Sequence, residues 1–273
     1  MRDRLIGWSI HLASVAIGVT AFLYPFFAPA LPQESFGMAH AEDAPLLLTV
    51  LVGVCFAALL VEAQRQAGSA KLVALLGVLV SLNALLRFVE VAVPGPGGFS
   101  PIFFLIVMTG YVMGGSFGFL MGALTLLVSA LITAGVGPWL PYQMITAGWI
   151  GLSAPACRPL VRMLGGEGTW REVVVLALFS GIWGMVFGAI MNLWFWPYAV
   201  GPQEQHWQPG LHWTGGVLRY AAFYLATSLV WDAMRLAGNF VLTLAFGLPT
   251  LRVLRRFQQR FLFVYRPSEQ VSV

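Results

Sequence analysis

Charge is what this sequence has least of. Only 10% of its 273 residues are Asp, Glu, Lys or Arg, against 59% that are apolar, and the mean hydropathy is +0.81. Soluble domains carry roughly a quarter charged residues. From Val91 to Cys157 there is no Asp, Glu, Lys, Arg or His at all. A bilayer demands such a stretch, because an ionised group in hydrocarbon is costly, and a water-soluble domain cannot sustain one. The scarcity of charge therefore excludes a soluble globular class and points to a polytopic integral membrane protein.

Cysteine is nearly absent too. Cys55 and Cys157 both lie in apolar runs, which leaves no basis for a disulfide framework. The four histidines form no H-E-x-x-H motif, there is no C-x-x-C, and no metal site or cofactor is legible. No P-loop, no paired carboxylates at catalytic spacing and no Ser/His/Asp grouping occur, so no enzyme constellation is present and nothing here binds and hydrolyses ATP. If the chain moves a solute uphill, the energy comes from a partner or an ion gradient. The net charge of +4 reads as arginines gathered on one face of a membrane, not as a nucleic-acid surface.

What is there is a series of apolar runs. Arg2 and Arg4 precede the run Leu5–Ala30, which is longer than a signal-peptide core and closes on no A-x-A site, so it reads as a retained helix. Eight segments emerge: 5–30, 44–63, 71–92, 98–114, 117–135, 141–163, 172–199 and 217–248. Residues 101–134 as one helix would rise roughly 50 Å, too long for one crossing, so a turn is expected at Gly114-Gly115-Ser116. The rival is a single helix carrying the stripe Gly110, Gly114, Gly118 and Gly122, a spacing that lets helices pack backbone to backbone.

Arginine and lysine set the orientation. Arg2, Arg4, Arg65, Lys71, Arg158, Arg162, Arg171, Arg252, Arg255, Arg256, Arg260 and Arg266 fall on one side of an eight-span arrangement. Residues 31–43 and 199–216 on the other side hold no lysine or arginine. Both termini are therefore expected in the cytoplasm. The outer face then gathers the aromatic clusters: Trp139 and Tyr142 beside the turn 135–141, the run Trp194–Tyr198, and His206, Trp207, His212 and Trp213. These are either an interfacial aromatic belt or the lining of an outward-facing pocket for a flat or bulky organic molecule.

Two polar stripes interrupt the spans. Asn83, Arg87 and Glu90 share one face of the outer half of the third span. They form either a buried pair that fixes packing or a site for a carboxylate, phosphate or amide. Arg219 at the outer start of the last span can join them or sit at the interface. Asp232, Arg235 and Asn239 form a second stripe, expected in the inner half of the last span, where structural pairing is the preferred reading. Asn192, after Gly181, Gly184 and Gly188, is a further polar candidate.

Taken in order, the stretch Ser81-Leu-Asn-Ala-Leu-Leu-Arg87, then Gly98-Phe-Ser-Pro101-Ile-Phe-Phe, Thr109-Gly-Tyr-Val-Met-Gly114, Gly118-Phe-Leu-Met-Gly122-Ala, Ser129, the run Gly135 to Met144, and Gly148-Trp-Ile-Gly151 resemble the substrate-binding S component of energy-coupling factor (ECF) transporters. The likeness covers residues 70–160 well and the rest loosely. It implies a six-helix core, here over 70–250; with the eight apolar segments this gives an all-α integral membrane protein of about eight transmembrane helices, in which the two N-terminal helices within 1–69 are extra to that core and 251–273 is a basic cytoplasmic tail. It implies capture of a vitamin or micronutrient on the outer side, and delivery to a coupling subunit and two ATPases. Asn83, Arg87, Glu90, Trp139, Tyr142, Gln143, Asn192, Trp196 and Trp213 are the expected substrate-site residues; the roomy aromatic outer face leans toward a cobalamin- or flavin-like cargo. The family's small-residue stripe for docking on the coupling subunit maps to Ala70 and Ala74, with Gly77 and Ser81 one turn on, although position 78 is valine. The turn at Gly114 also departs from relatives that often carry proline or a basic residue there. A self-contained secondary transporter or channel, which would need a second inverted copy of the broken segment, and a membrane scaffold without ligand are the alternatives.

Overall fold

The computed structural model describes residues 2–27, 44–64, 69–92, 100–199 and 201–261. The expected outer segments 31–43 and 93–98, Arg65, and the tail beyond Phe261 with Arg266 lie outside the described residues. Among those described, the chain is all helical. Its helices are α1 (Arg2–Leu23), α2 (Ala44–Gln64), α3 (Ser69–Ala92), α4 (Ile102–Met113), α5 (Gly115–Ile132), α6 (Leu140–Ser153), α7 (Arg158–Met163), α8 (Trp170–Phe195), α9 (Trp213–Thr227) and α10 (Leu229–Phe261).

Helix α4 is the axis. Every residue from Ile102 to Val112 is buried, as expected of a helix that is apolar all round. It packs against α3, α5, α6, α8 and α10. Gly114 ends it with φ +110°, a conformation that only glycine adopts without strain, and α5 begins at the next residue. The turn, not the single long helix, is what forms. The glycines then serve packing: a Cβ on Gly110 or Gly118 would overlap the Gly151 carbonyl, and one on Gly122 would overlap that of Ala147. The absence of side chains lets α4, α5 and α6 approach backbone to backbone.

Among the described residues, four helices are long and apolar enough to cross a membrane, over Ala70–Phe88, Gly115–Ile132, Trp170–Tyr198 and Leu229–Arg260. Leu12–Phe26, Ala44–Ala58 and Ile102–Met113 are apolar but shorter. The expected span 141–163 is instead α6, a 3-10 turn over Ala154–Cys157 and α7. Cys157 and Cys55 are buried free thiols.

The expected last span, 217–248, is two helices broken at Ser228. Its hydroxyl donates to Asn192 Oδ1 at 2.9 Å, its N–H still reaches Tyr224 O, and its carbonyl starts α10 by accepting from Asp232 N. Helix α9 lies against α8 through its tyrosines, with Tyr220 donating to Ala189 O. Helix α10 runs antiparallel to α8, from Asp232 beside Gly188 down to Arg255 beside Glu172, and continues through Pro249 to Phe261.

The two N-terminal helices cover one flank. Helix α2 packs on α3, α5 and α6. The Phe22 ring of α1 meets Tyr142 edge-on at 5.1 Å and lies 6.1 Å from Trp149. Phe26 sits against Trp196 and Trp207, each at 5.7 Å. Helix α3 keeps its opposite face open.

Candidate functional site

The bundle has two chemically different ends. One, where α4 finishes, α7 and α8 start and α10 runs out, carries Arg158, Arg162, Arg171, Arg252, Arg255, Arg256 and Arg260. At the other end, α3 and α8 finish and α4, α6 and α10 begin, and it is there that aromatic and polar side chains converge on a cavity of about 370 Å³.

The cavity walls come from three places. Trp139, the residue before α6, is pinned by an indole N–H donated to Gly135 O at 3.1 Å, and Gln143 follows one turn on. The last turns of α8 supply Phe187, Met191, Asn192, Trp194 and Phe195. Ser228, Trp231, Asp232 and Arg235 come from the start of α10. The break at Ser228 starts α10 here, and its first two turns thus lie in the cavity wall.

Asp232 and Arg235 give the cavity its charge. They form an ion pair one helical turn apart. The Asp232 side chain is 3% exposed, and its Oδ2 has no hydrogen-bond partner. The Arg235 guanidinium also lies 5.7 Å over the Phe187 ring, a cation–π arrangement. A buried carboxylate oxygen without a donor costs about 1–3 kcal/mol. That oxygen is packed against the Gly188 backbone, so what the pair presents at the cavity edge is the Arg235 cation, 19% exposed, among aromatic faces. Asn192 is already engaged, donating to Gly188 O at 3.0 Å and accepting from Ser228.

Of the nine substrate-site candidates, Trp139, Gln143 and Asn192 line this cavity. Tyr142 is fully buried behind it, its ring 6.0 Å from that of Trp194. Trp196 is buried against Phe26 and Tyr220 and donates to Gln205 O at 2.8 Å, which anchors the following loop. Trp213 is 73% exposed at the start of α9. Arg219 reaches the same loop at His206 O.

Asn83, Arg87 and Glu90 lie at this end but outside the cavity lining. Asn83 is buried and donates to Ile102 O at 3.1 Å and Thr125 Oγ1 at 3.2 Å. Arg87 stands 3.8 Å from Glu90, which accepts from Ser100 Oγ at 2.9 Å. Asn239 of α10 completes the lattice, donating to Ser100 O and accepting from Phe104 N. The second polar stripe is therefore not in the inner half of its span. Both stripes meet at the entrance to α4, where the first backbone N–H groups of a helix lack internal partners.

Sequence reasoning missed Glu172. It is fully buried near the start of α8, paired with Arg255, accepting from Tyr111 Oη at 2.8 Å and from Gly168 N at 2.8 Å. Its signal was local: Thr169 and Glu172 have capping-box spacing, and Thr169 Oγ1 accepts from Glu172 N.

The docking candidates Ala70, Ala74, Gly77 and Ser81 are all exposed on α3, and a Cβ at Gly77 would meet nothing within 4 Å. Val73, Val78, Leu82, Leu85 and Phe88 are exposed on the same helix. The result is an uncovered apolar surface with a shallow small-residue furrow.

Residues 71–246 match the family model described as ECF transporter, substrate-specific component. No curated protein and no solved structure matches the chain.

Proposed function

The chain belongs to the family of ECF transporter substrate-specific components, and from that premise we propose that the aromatic cavity captures a small organic cofactor or its precursor for import. As a member of that family it is a multi-pass membrane transport component that associates with coupling and ATPase modules.

The observation that carries the proposal is the 370 Å³ aromatic cavity with the Asp232–Arg235 ion pair in its wall. Ligand pockets are mostly apolar with a few placed polar groups, and span about 300–1,000 Å³. A volume near the lower limit favours a flat ring system of flavin-like size over a corrinoid. Trp139, Trp194 and Trp231 would stack on such a ring, Arg235 and Gln143 would donate to carbonyls, and Asp232 would hold the Arg235 guanidinium in place.

The cavity mouth lies at the end opposite the cluster of Arg158, Arg162, Arg171, Arg252, Arg255, Arg256 and Arg260, so the positive-inside bias would turn it outward and keep the basic end cytoplasmic. The open furrow of α3 is where the coupling subunit would pack, with small residues allowing close helix approach. Transport energy would then come from the partner ATPases.

The test is thermal stability of the detergent-purified chain against a panel of vitamins and cofactors, with mass spectrometry of what co-purifies. A ligand at a hundredfold excess over its Kd raises stability by about 2.7 kcal/mol. A single flat heterocycle as the hit supports the reading, and transport in liposomes without partner proteins would replace it with a self-contained transporter.

A further inference from the structure

At the basic end, a second cavity of about 220 Å³ opens between the last turn of α4, α7 and α10. Its floor is the carbonyl end of α4. Such carbonyls have no partner within the helix and carry the negative end of its dipole. Here they are neutralised: Arg158 donates through Nε and Nη2 to Tyr111 O at 3.1 and 2.6 Å, and Gln258 donates to Val112 O at 2.7 Å. The α4 carbonyls are therefore already engaged, and the charged acceptor left in the lining is the Glu167 carboxylate.

Three guanidinium groups face it, those of Arg158, Arg162 and Arg255. Arg255 is held by buried Glu172 and lies 3.3 Å from Glu167, whose side chain is 54% exposed at the rim. Arg162 is exposed and, among the described residues, makes no hydrogen bond or ion pair. Three cations thus share two carboxylates, one buried behind the wall and one half-exposed at the rim. On the elements that carry the cavity and beside it in sequence, Leu160 and Met163 of α7, Trp170 at the start of α8 and Phe257 of α10 are exposed. Exposed apolar side chains and a tryptophan on the elements of a basic cavity are what the boundary between acyl chains and headgroups requires.

We propose that this cavity binds a phosphate ester, the headgroup phosphate of an anionic phospholipid. Guanidinium forks match phosphate oxygens in charge and geometry. Arg162 supplies the uncommitted fork and Arg158 the remaining Nη1. The lipid's acyl chains lie along Leu160 and Met163. This site is separate from the cargo cavity and does not depend on the identity of the cargo.

The experiment is native mass spectrometry of the full chain released from neutral detergent carrying equal phosphatidylglycerol and phosphatidylcholine, with inorganic phosphate as a soluble competitor. Retention of phosphatidylglycerol over phosphatidylcholine is expected, falling roughly tenfold in Arg162→Gln, the loss of one charge-assisted contact. Arg162→Lys, which keeps charge but not the fork, falls in between. Arg256→Gln, an exposed arginine on the same end but outside the cavity, leaves retention unchanged. Displacement of the lipid by equimolar inorganic phosphate would keep the phosphate site but make its natural occupant a soluble phosphate. Equal retention of the two lipids, or equal losses in Arg162→Gln and Arg256→Gln, would overturn the proposal. The melting temperature of Arg162→Gln, expected to match the parent, separates loss of binding from loss of fold.

Discussion

The carboxylate of Asp232 rests directly on the backbone of Gly188, where a Cβ would overlap it. That contact lets α10 close on α8 and holds a buried charge at the edge of the aromatic cavity. Gly188→Ala must push Asp232 aside or separate the helices, and overpacking of this kind costs about 1–3 kcal/mol. The variant is expected to melt lower and to lose ligand stabilisation, read in one thermal titration with and without ligand.

Asp232→Asn keeps the shape and removes the charge, leaving Arg235 without its partner. Breaking a buried pair from one side costs about 3–5 kcal/mol, and Arg235, 19% exposed, should pay toward the lower end. Asp232→Asn with Arg235→Gln should recover part of that stability without recovering binding. The measurement is a double-mutant cycle on both melting and ligand affinity.

Glu172 provides the opposite signature. It ties α8 to α10 and α4 at the far end of the molecule through Arg255 and Tyr111. Glu172→Gln should lower stability by a few kcal/mol, since charged hydrogen bonds contribute about 1.5–3 kcal/mol each. Ligand affinity of the folded fraction should stay unchanged in equilibrium binding.

Gly77 stands in open space on α3. Gly77→Phe should leave melting and ligand affinity close to the parent, because no neighbour is displaced. Co-purification with the coupling subunit should be lost, because the furrow is filled. Retained assembly would move the docking surface elsewhere.

Much of this architecture is legible in the chain. The uncharged stretch from Val91 to Cys157 announces the central helices, and the length argument places the turn at Gly114. Depth was harder to read. The break between α9 and α10 falls at Thr227 and Ser228, neither a glycine nor a proline, inside a continuous apolar run. What stops α9 there is a bond to Asn192, 36 residues away in sequence, so local pattern put Asp232 and Arg235 at the wrong end. Tyr142 and Trp196 show the same limit. A buried tyrosine reads alike whether a ligand or Phe22 covers it, and only the packing of α1 decides. Glu172 was written in a capping box, but it sits at the edge of a hydrophobic run where a carboxylate is easily taken for a surface residue.

The central claim is that cargo binds in the cavity between α6, α8 and α10. It is tested most directly by measuring equilibrium affinity for the ligand found in the stability panel, on the parent, Trp139→Ala, Gln143→Leu and Asp232→Asn. The account predicts that each cavity variant weakens binding about tenfold or more, the loss of one stacking or hydrogen-bonding contact, while Trp213→Ala, outside the cavity, binds like the parent. Unchanged affinity in all three folded cavity variants would contradict it.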